Sequence, residues 1–107
     1  MKDEFIPVAK TPDIGPGSLK EVDVKGQHLG LTNVGQTYYA FDASCPVDGT
    51  NLAREGTIRG DFIVCPQDEA AFDVRTGECA DPEIDEELQR YSIKVEGNEV
   101  KIGPPLD

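Results

Sequence analysis

Residues 45–69 read CPVDGTNLAREGTIRGDFIVCPQDE, a stretch with a Cys-Pro pair near each end. Seventeen residues (48–64) separate Val47 from Cys65. Proline, glycine and acidic residues after each cysteine predict loops, whereas the apolar residues before Cys65 predict a strand of a hairpin about Gly60. The stretch therefore predicts two cysteine-bearing loops joined by a hairpin.

Composition limits the class of protein. The 107 residues make one domain with a modest core, and 37% hydrophobic residues without tryptophan favour a small β structure over a helix bundle. Eleven glycines and eight prolines indicate many turns. The net charge of −11 excludes nucleic acid and anionic membranes as expected partners, and it is compatible with docking onto a basic protein surface.

The cysteine count and the absence of long apolar runs predict a compartment. No signal peptide is recognisable after Met1, and no stretch approaches the ~18 apolar residues of a membrane span. We therefore expect a cytoplasmic protein in a reducing environment. There a cysteine pair more often binds metal or performs redox chemistry than staples a fold, and an odd total of three argues against a simple disulfide framework.

Apolar residues alternate with a period of two, and glycines interrupt the alternation, which predicts short antiparallel strands. The predicted strands are residues 5–8, 19–24, 28–33, 37–42, 57–59, 61–64, 71–74, 91–95 and 99–102. Gly97-Asn98 is a strong hairpin signal for the last pair. The prediction is an all-β protein with a single domain over residues 1–107, in which residues 43–80 are inserted between the outer strands.

Several motifs together carry a family resemblance. They are Tyr39-Ala40-Phe41-Asp42 ahead of Cys45-Pro46, the run from Gly60 to Pro66, and Phe72-Asp73-Val74-Arg75-Thr76-Gly77-Glu78. In this combination the chain resembles the small Rieske-type ferredoxins, the electron carriers of bacterial ring-hydroxylating oxygenase systems. The resemblance implies a Rieske fold with two stacked antiparallel sheets and an inserted subdomain, residues 43–80, whose two loops hold a cluster.

The resemblance also implies a ligand set that this chain completes only in part. A Rieske 2Fe-2S centre uses two cysteines and two histidines. The cysteines fall on Cys45 and Cys65, whereas the histidine positions fall on Val47 and Asp68. Glu69 stands where the family has glycine, and because glycine adopts backbone conformations that glutamate disfavours, we expect an altered second loop.

These departures favour a degenerate, cluster-free member with no cofactor, acting as an accessory or interaction subunit of an oxidoreductase or oxygenase system. Three alternatives remain open. An atypical 2Fe-2S cluster would use Cys45, Cys65, Asp68 and Asp48, with Cys79 as a further thiol, in an electron-transfer ferredoxin. A mononuclear zinc ion would use the first four of these residues. A thiol-redox module would pair Cys45 with Cys65 in a disulfide.

No phosphate-binding glycine loop, activated nucleophile or pair of catalytic acids is present, so we do not expect an enzyme. The expected partner is a reductase or oxygenase component with a basic surface, and residues 81–87, with five acids, are a solvated loop that such a surface could contact. His28 is the only histidine, and its place in the strand pattern predicts exposure to solvent.

Overall fold

A computed structural model describes residues 4–67 and 69–106. The fold is built almost entirely from strands, with one α-helical turn and one 3-10 turn. In chain order the strands are β1 (Ile6–Lys10), β2 (Leu19–Val24), β3 (Gln27–Val34), β4 (Thr37–Asp42), β5 (Thr57–Arg59), β6 (Phe62–Val64), β7 (Ala71–Asp73), β8 (Arg90–Glu96) and β9 (Glu99–Pro105), the helical turn is α1 (Leu52–Glu55) and the 3-10 turn is Thr11–Asp13. The predicted all-β class is confirmed.

The outer strands form one six-stranded antiparallel sheet in the order β1-β9-β8-β4-β3-β2. Strands β2, β3 and β4 are consecutive neighbours, as the alternating pattern and the short glycine turns predict. Strands β8 and β9 pair across the Gly97-Asn98 turn, which the sequence also indicates. The first cysteine loop follows β4 of this sheet.

The six-stranded sheet curls so that its two ends face each other. Leu29 and Leu31 on β3 share one buried cluster with Val100 and Ile102 on β9, although β8 and β4 lie between these strands in the sheet. A flat sheet would keep these side chains apart, whereas a strongly twisted sheet closes around them. The two stacked layers of the fold are therefore parts of a single hydrogen-bonded sheet.

A second, three-stranded sheet in the order β5-β6-β7 packs onto the first through another buried cluster. Phe41 on β4 belongs to this cluster together with Ile63 on β6 and Phe72 on β7, and all three side chains are fully buried. The small sheet lies within residues 43–80. The single domain over residues 1–107 with this insertion stays a prediction.

The segments between strands also follow the sequence. Asn51 caps α1 by accepting a hydrogen bond from the Arg54 backbone N–H at 3.0 Å, which is the usual role of asparagine at such a position. Residues 81–87 contain no helix or strand and are mostly exposed. Within the described part of the chain, no helix is long and apolar enough to cross a membrane.

A tyrosine hydroxyl joins three strands of the large sheet. Tyr91 on β8 donates a hydrogen bond to Asp42 Oδ1 on β4 at 2.8 Å and accepts one from Gln27 Nε2 on β3, also at 2.8 Å. Burial, and secondly the bond to the Asp42 carboxylate, raises the pKa of Tyr91 to about 12 from its ordinary value of 10.0. The folded protein therefore holds this proton more tightly than the unfolded chain does.

This difference predicts a loss of stability in alkaline solution. A raised pKa in the folded state contributes stability that is complete below pH 10 and disappears as the pH rises toward about 12. We expect Tyr91→Phe to remove this part of the pH dependence, as measured by urea unfolding between pH 9 and 11. Tyr38→Phe, which removes another tyrosine hydroxyl, serves as the control. Parallel curves for the parent and Tyr91→Phe would contradict the assignment.

Candidate functional site

The first cysteine loop is a turn closed by two backbone hydrogen bonds. The Cys45 N–H donates to the Thr50 carbonyl at 2.8 Å, and the Gly49 N–H donates to the Cys45 carbonyl at 2.9 Å. Asp48 Oδ1 accepts from the Thr50 backbone N–H at 2.9 Å and from its hydroxyl at 2.5 Å. Gly49 has a φ of 79°, in the left-handed region that glycine adopts without steric cost.

The second loop repeats the same pattern with a different sequence. The Cys65 N–H donates to the Ala70 carbonyl at 2.8 Å, and the Glu69 N–H donates to the Cys65 carbonyl at 3.0 Å. Glu69 has a φ of 60° and so takes the left-handed place that Gly49 takes in the first loop. The expectation that Glu69 changes the loop backbone is wrong, because the two turn hydrogen bonds hold this residue in the conformation that suits glycine.

The two loops meet at a disulfide bond between Cys45 and Cys65, whose Cα atoms are 6.1 Å apart. Both cysteines are buried, with relative exposures of 3% and 0%, and they share the cluster that contains Ile63 and Phe72. Of the alternatives that the sequence leaves open, this geometry corresponds to the disulfide. We call the two loops, residues 45–50 and 65–70, the tip of the small subdomain.

The other candidate ligands do not gather around these sulfur atoms. Asp48 is oriented toward Thr50 in its own loop, as described above, and Asp68 lies outside the described residues. Cys79 is a free, half-buried thiol that packs against the same core cluster. Among residues 4–67 and 69–106, no group of three or more His, Cys, Asp or Glu side chains is arranged to hold a metal ion.

Hydrogen bonds to Glu21 fix the segment after the first loop to the large sheet. Glu21 on β2 accepts hydrogen bonds from Asn51 Nδ2 at 3.0 Å and from Arg54 Nε at 2.8 Å. These two hydrogen bonds, that of Asn51 first, hold the pKa of Glu21 below its ordinary value. The segment that follows the first loop is thereby tied to a rigid strand.

The sequence did not predict the equivalence of the loops or the anchoring of the acidic segment. The equivalence of the loops has a signal in the sequence, because Gly49 and Glu69 each lie four residues after a cysteine. Ile84 packs against the cluster that contains Cys45 and Cys65, so the exposed acids on either side of it lie next to the subdomain that carries the tip. This juxtaposition depends on a tertiary contact that no local pattern reveals.

Comparison with known proteins extends this description. The family model described as a Rieske-like [2Fe-2S] domain matches residues 4–103. The ferredoxin component of the naphthalene 1,2-dioxygenase system of Pseudomonas aeruginosa is 30% identical over 102 residues, which cover 95% of this chain and 97% of that protein. The biphenyl dioxygenase ferredoxin subunit of Pseudomonas sp. strain KKS102 is 28% identical, over 92% and 90% of the two chains.

Solved structures agree with these relatives. The ferredoxin of carbazole 1,9a-dioxygenase from Nocardioides aromaticivorans IC177 superposes with a TM-score of 0.84 and 26% identity, over 94% of this chain and 97% of that chain. A chain in the complex of reduced oxygenase and oxidized ferredoxin in carbazole 1,9a-dioxygenase gives a TM-score of 0.86 and 30% identity, over 96% and 97%. The family resemblance predicted from the sequence motifs is thus confirmed over nearly the whole chain.

These findings correct the prediction that the protein has no cofactor. That prediction is wrong, because the family model that spans residues 4–103 is that of a 2Fe-2S domain and the matched relatives are ferredoxins. It rested on the residue types at positions 47, 68 and 69 alone, whereas the match to 2Fe-2S proteins extends over nearly the whole chain.

The residues of the tip fit a Rieske 2Fe-2S cluster only in part. Cys45 and Cys65 are close enough for their sulfur atoms to reach one iron when reduced, which supplies the sulfur half of a Rieske ligand set. The imidazole half is not available, because His28 is the only histidine and its Nδ1 lies 2.6 Å from Asp23 Oδ1 on the exposed surface of the large sheet. The donor set therefore does not fit the Rieske cluster in its usual form, and we derive no chemical step through it.

The left-handed residues predict opposite effects of two substitutions. Glu69→Gly should raise the free energy of unfolding by about 0.5–1 kcal/mol, since the relief of strain exceeds the extra flexibility of the unfolded chain. Gly49→Ala should lower it by about 1 kcal/mol for the converse reason. Urea unfolding measures both values, and Glu69→Ala, which keeps a Cβ atom, should change little. Equal effects of the Gly and Ala substitutions at position 69 would refute the strain argument.

The disulfide predicts a redox-dependent stability. It closes a loop between residues 20 positions apart, which should stabilise the oxidised protein by about 3 kcal/mol relative to the reduced protein. Cys45→Ser should abolish this difference, as measured by urea unfolding with and without a reductant. Cys79→Ser should retain it, because Cys79 is not in the disulfide. A parent protein whose stability does not respond to reductant would disprove the expectation.

The fold, the two Cys-Pro turns and the comparisons lead to the same family. A match over residues 4–103 covers nearly the whole chain, and the matched relatives have almost the same length. The chain belongs to the family of Rieske-like 2Fe-2S domains.

Proposed function

We propose that this protein is the ferredoxin-type electron-transfer partner of an oxygenase system and that it docks on its partner through the tip. The observation that supports this most strongly is the joining of both Cys-Pro loops at one point, in a chain that matches ferredoxin components over nearly its whole length. The partner role agrees with the matched relatives, which are ferredoxin components of oxygenase systems.

The surface around the tip suits contact with another protein. Val47 is an exposed large apolar side chain, with a relative exposure of 41%, and Pro66 and Gln67 are exposed on the second loop. A shallow hollow of about 250 Å³ beside the second loop is lined by residues that include Phe62, Val64 and Glu69. Apolar groups with a polar border are the composition expected of a protein contact.

Electrostatics favour a basic partner surface. The chain carries a net charge of −11, and five of its acids lie in residues 81–87. Ile84 holds this exposed segment against the cluster that contains both tip cysteines. The resulting negative field on this side of the protein would attract and orient a positively charged surface, which mainly increases the rate of association. An oxygenase or reductase component with such a surface is the proposed partner, and a cytoplasmic location remains a prediction.

The replaced ligands are also part of the proposal. By the family resemblance, Val47 and Asp68 take the positions of the two cluster histidines. Valine has no donor atom, whereas the carboxylates of Asp68 and Asp48 and the thiols of Cys45 and Cys65 are possible ligands in the reduced protein. A carboxylate in place of a neutral imidazole would add negative charge to a bound cluster and disfavour its reduction.

The docking proposal predicts a charge-dependent affinity. The parent should bind the oxygenase component of the Pseudomonas aeruginosa naphthalene 1,2-dioxygenase system, and Glu86→Gln with Glu87→Gln should weaken this binding about three- to tenfold at low salt. The difference should shrink as salt is added, because exposed charges are screened. Titration calorimetry at two salt concentrations measures both effects. The reductase component of the same system is tested in parallel.

The matched control also removes two negative charges, but at the far end of β8. Glu96→Gln with Glu99→Gln removes two charges beside the Gly97-Asn98 turn, about 20 Å along the strand from Arg90, and should leave binding nearly unchanged. Equal weakening by both pairs would show that only total charge matters. Failure of the parent to bind either component would overturn the proposal.

A further inference from the structure

Each tip cysteine is held in place by its own loop, independently of the disulfide. The Cys45 N–H bonds to Thr50 and the Cys65 N–H bonds to Ala70, each at 2.8 Å, and neither bond crosses between the loops. Breaking the sulfur–sulfur bond therefore leaves both turns closed. The two thiols would stay close together, in the arrangement from which the disulfide re-forms.

Apolar packing secures the same region without help from the disulfide. Leu52, Ile63 and Phe72 are fully buried in the cluster that surrounds both cysteines. Glu21 additionally ties the segment after the first loop to β2 through Arg54. A fold with these separate supports can retain its shape in both redox states, which a scaffold that depends on disulfides cannot do.

We infer that Cys45 and Cys65 form a reversible two-electron thiol–disulfide couple at the tip, with an external dithiol as redox partner. In the reduction, a thiolate of that dithiol attacks one sulfur of the pair, breaks the Cys45–Cys65 bond and forms a mixed disulfide. The second thiol of the external dithiol then displaces the remaining cysteine. Two electrons and two protons pass to Cys45 and Cys65, and the external dithiol becomes a disulfide.

The redox state of Cys45 and Cys65 determines whether the tip can bind a metal. Thiolates are ligands for iron and zinc, whereas sulfur atoms bonded to each other are not available for this purpose. The disulfide and a metal would use the same two atoms, so the two states exclude each other. The inference goes beyond the docking function and does not rest on it.

Burial of the pair adds a kinetic expectation. Cys45 and Cys65 have relative exposures of only 3% and 0%, so an external thiol reaches them only after local opening of a loop. Reduction of the native protein should therefore be at least tenfold slower than reduction of the urea-unfolded chain. The two rates are measured by quenching the reaction at timed intervals and alkylating the free thiols.

The equilibrium test uses anaerobic buffers with varied ratios of reduced to oxidised dithiothreitol. After acid quenching, alkylation and mass spectrometry count the free thiols of the native protein. We expect a single step from one thiol to three, reached from either direction, because Cys79 is free throughout. Cys79→Ser should step from none to two, and Cys45→Ser should show no step in the same range.

Three results would overturn the inference. The first is three thiols in every buffer, since the pair would then not close. The second is a disulfide that resists every ratio until the protein is unfolded, since it would then be permanent. The third is a protein whose Cys45 and Cys65 remain protected by bound iron and sulfide, assayed on the same samples, in every buffer. Docking is measured separately, so failure of one proposal does not imply failure of the other.

Discussion

The burial of Phe41 between the two sheets is the interaction on which the rest of the structure depends. The three-stranded sheet has strands of only three residues each, too short to be stable in water on their own. Phe41 comes from the large sheet and packs with Ile63 and Phe72 of the small one. Because the cysteines sit in the same cluster, this contact fixes both the subdomain and the tip.

The strands were predictable because their hydrophobic period is local. The hairpin about Gly97-Asn98 and the meander of β2 to β4 follow from alternation and turn residues that lie next to each other in the chain. The curling of the large sheet was not predictable in this way. It arises from a buried cluster that brings together residues such as Leu31 and Val100, which are far apart in sequence and share no local pattern.

The candidate site was likewise predictable in part from the sequence. The two Cys-Pro loops and their spacing were visible in the sequence, and they led correctly to the family. The predictions for the backbone at Glu69 and for the cofactor were wrong, because residue type alone determines neither of them. Glutamate in the left-handed region is unfavourable by itself, yet the hydrogen bonds of the turn overcome this cost. The residue types at the ligand positions likewise indicated the family less well than the spacing of the two Cys-Pro loops did.

The repeated turn of the two loops has a consequence for the order in which the protein is assembled. Each loop is shaped by hydrogen bonds within its own backbone and by apolar packing beneath it. Contacts between residues close in sequence cost little loop-closure entropy, so each turn can close before the two loops are brought together. The tip is therefore assembled from two locally closed turns, and the long-range packing of the small sheet brings them to the same place.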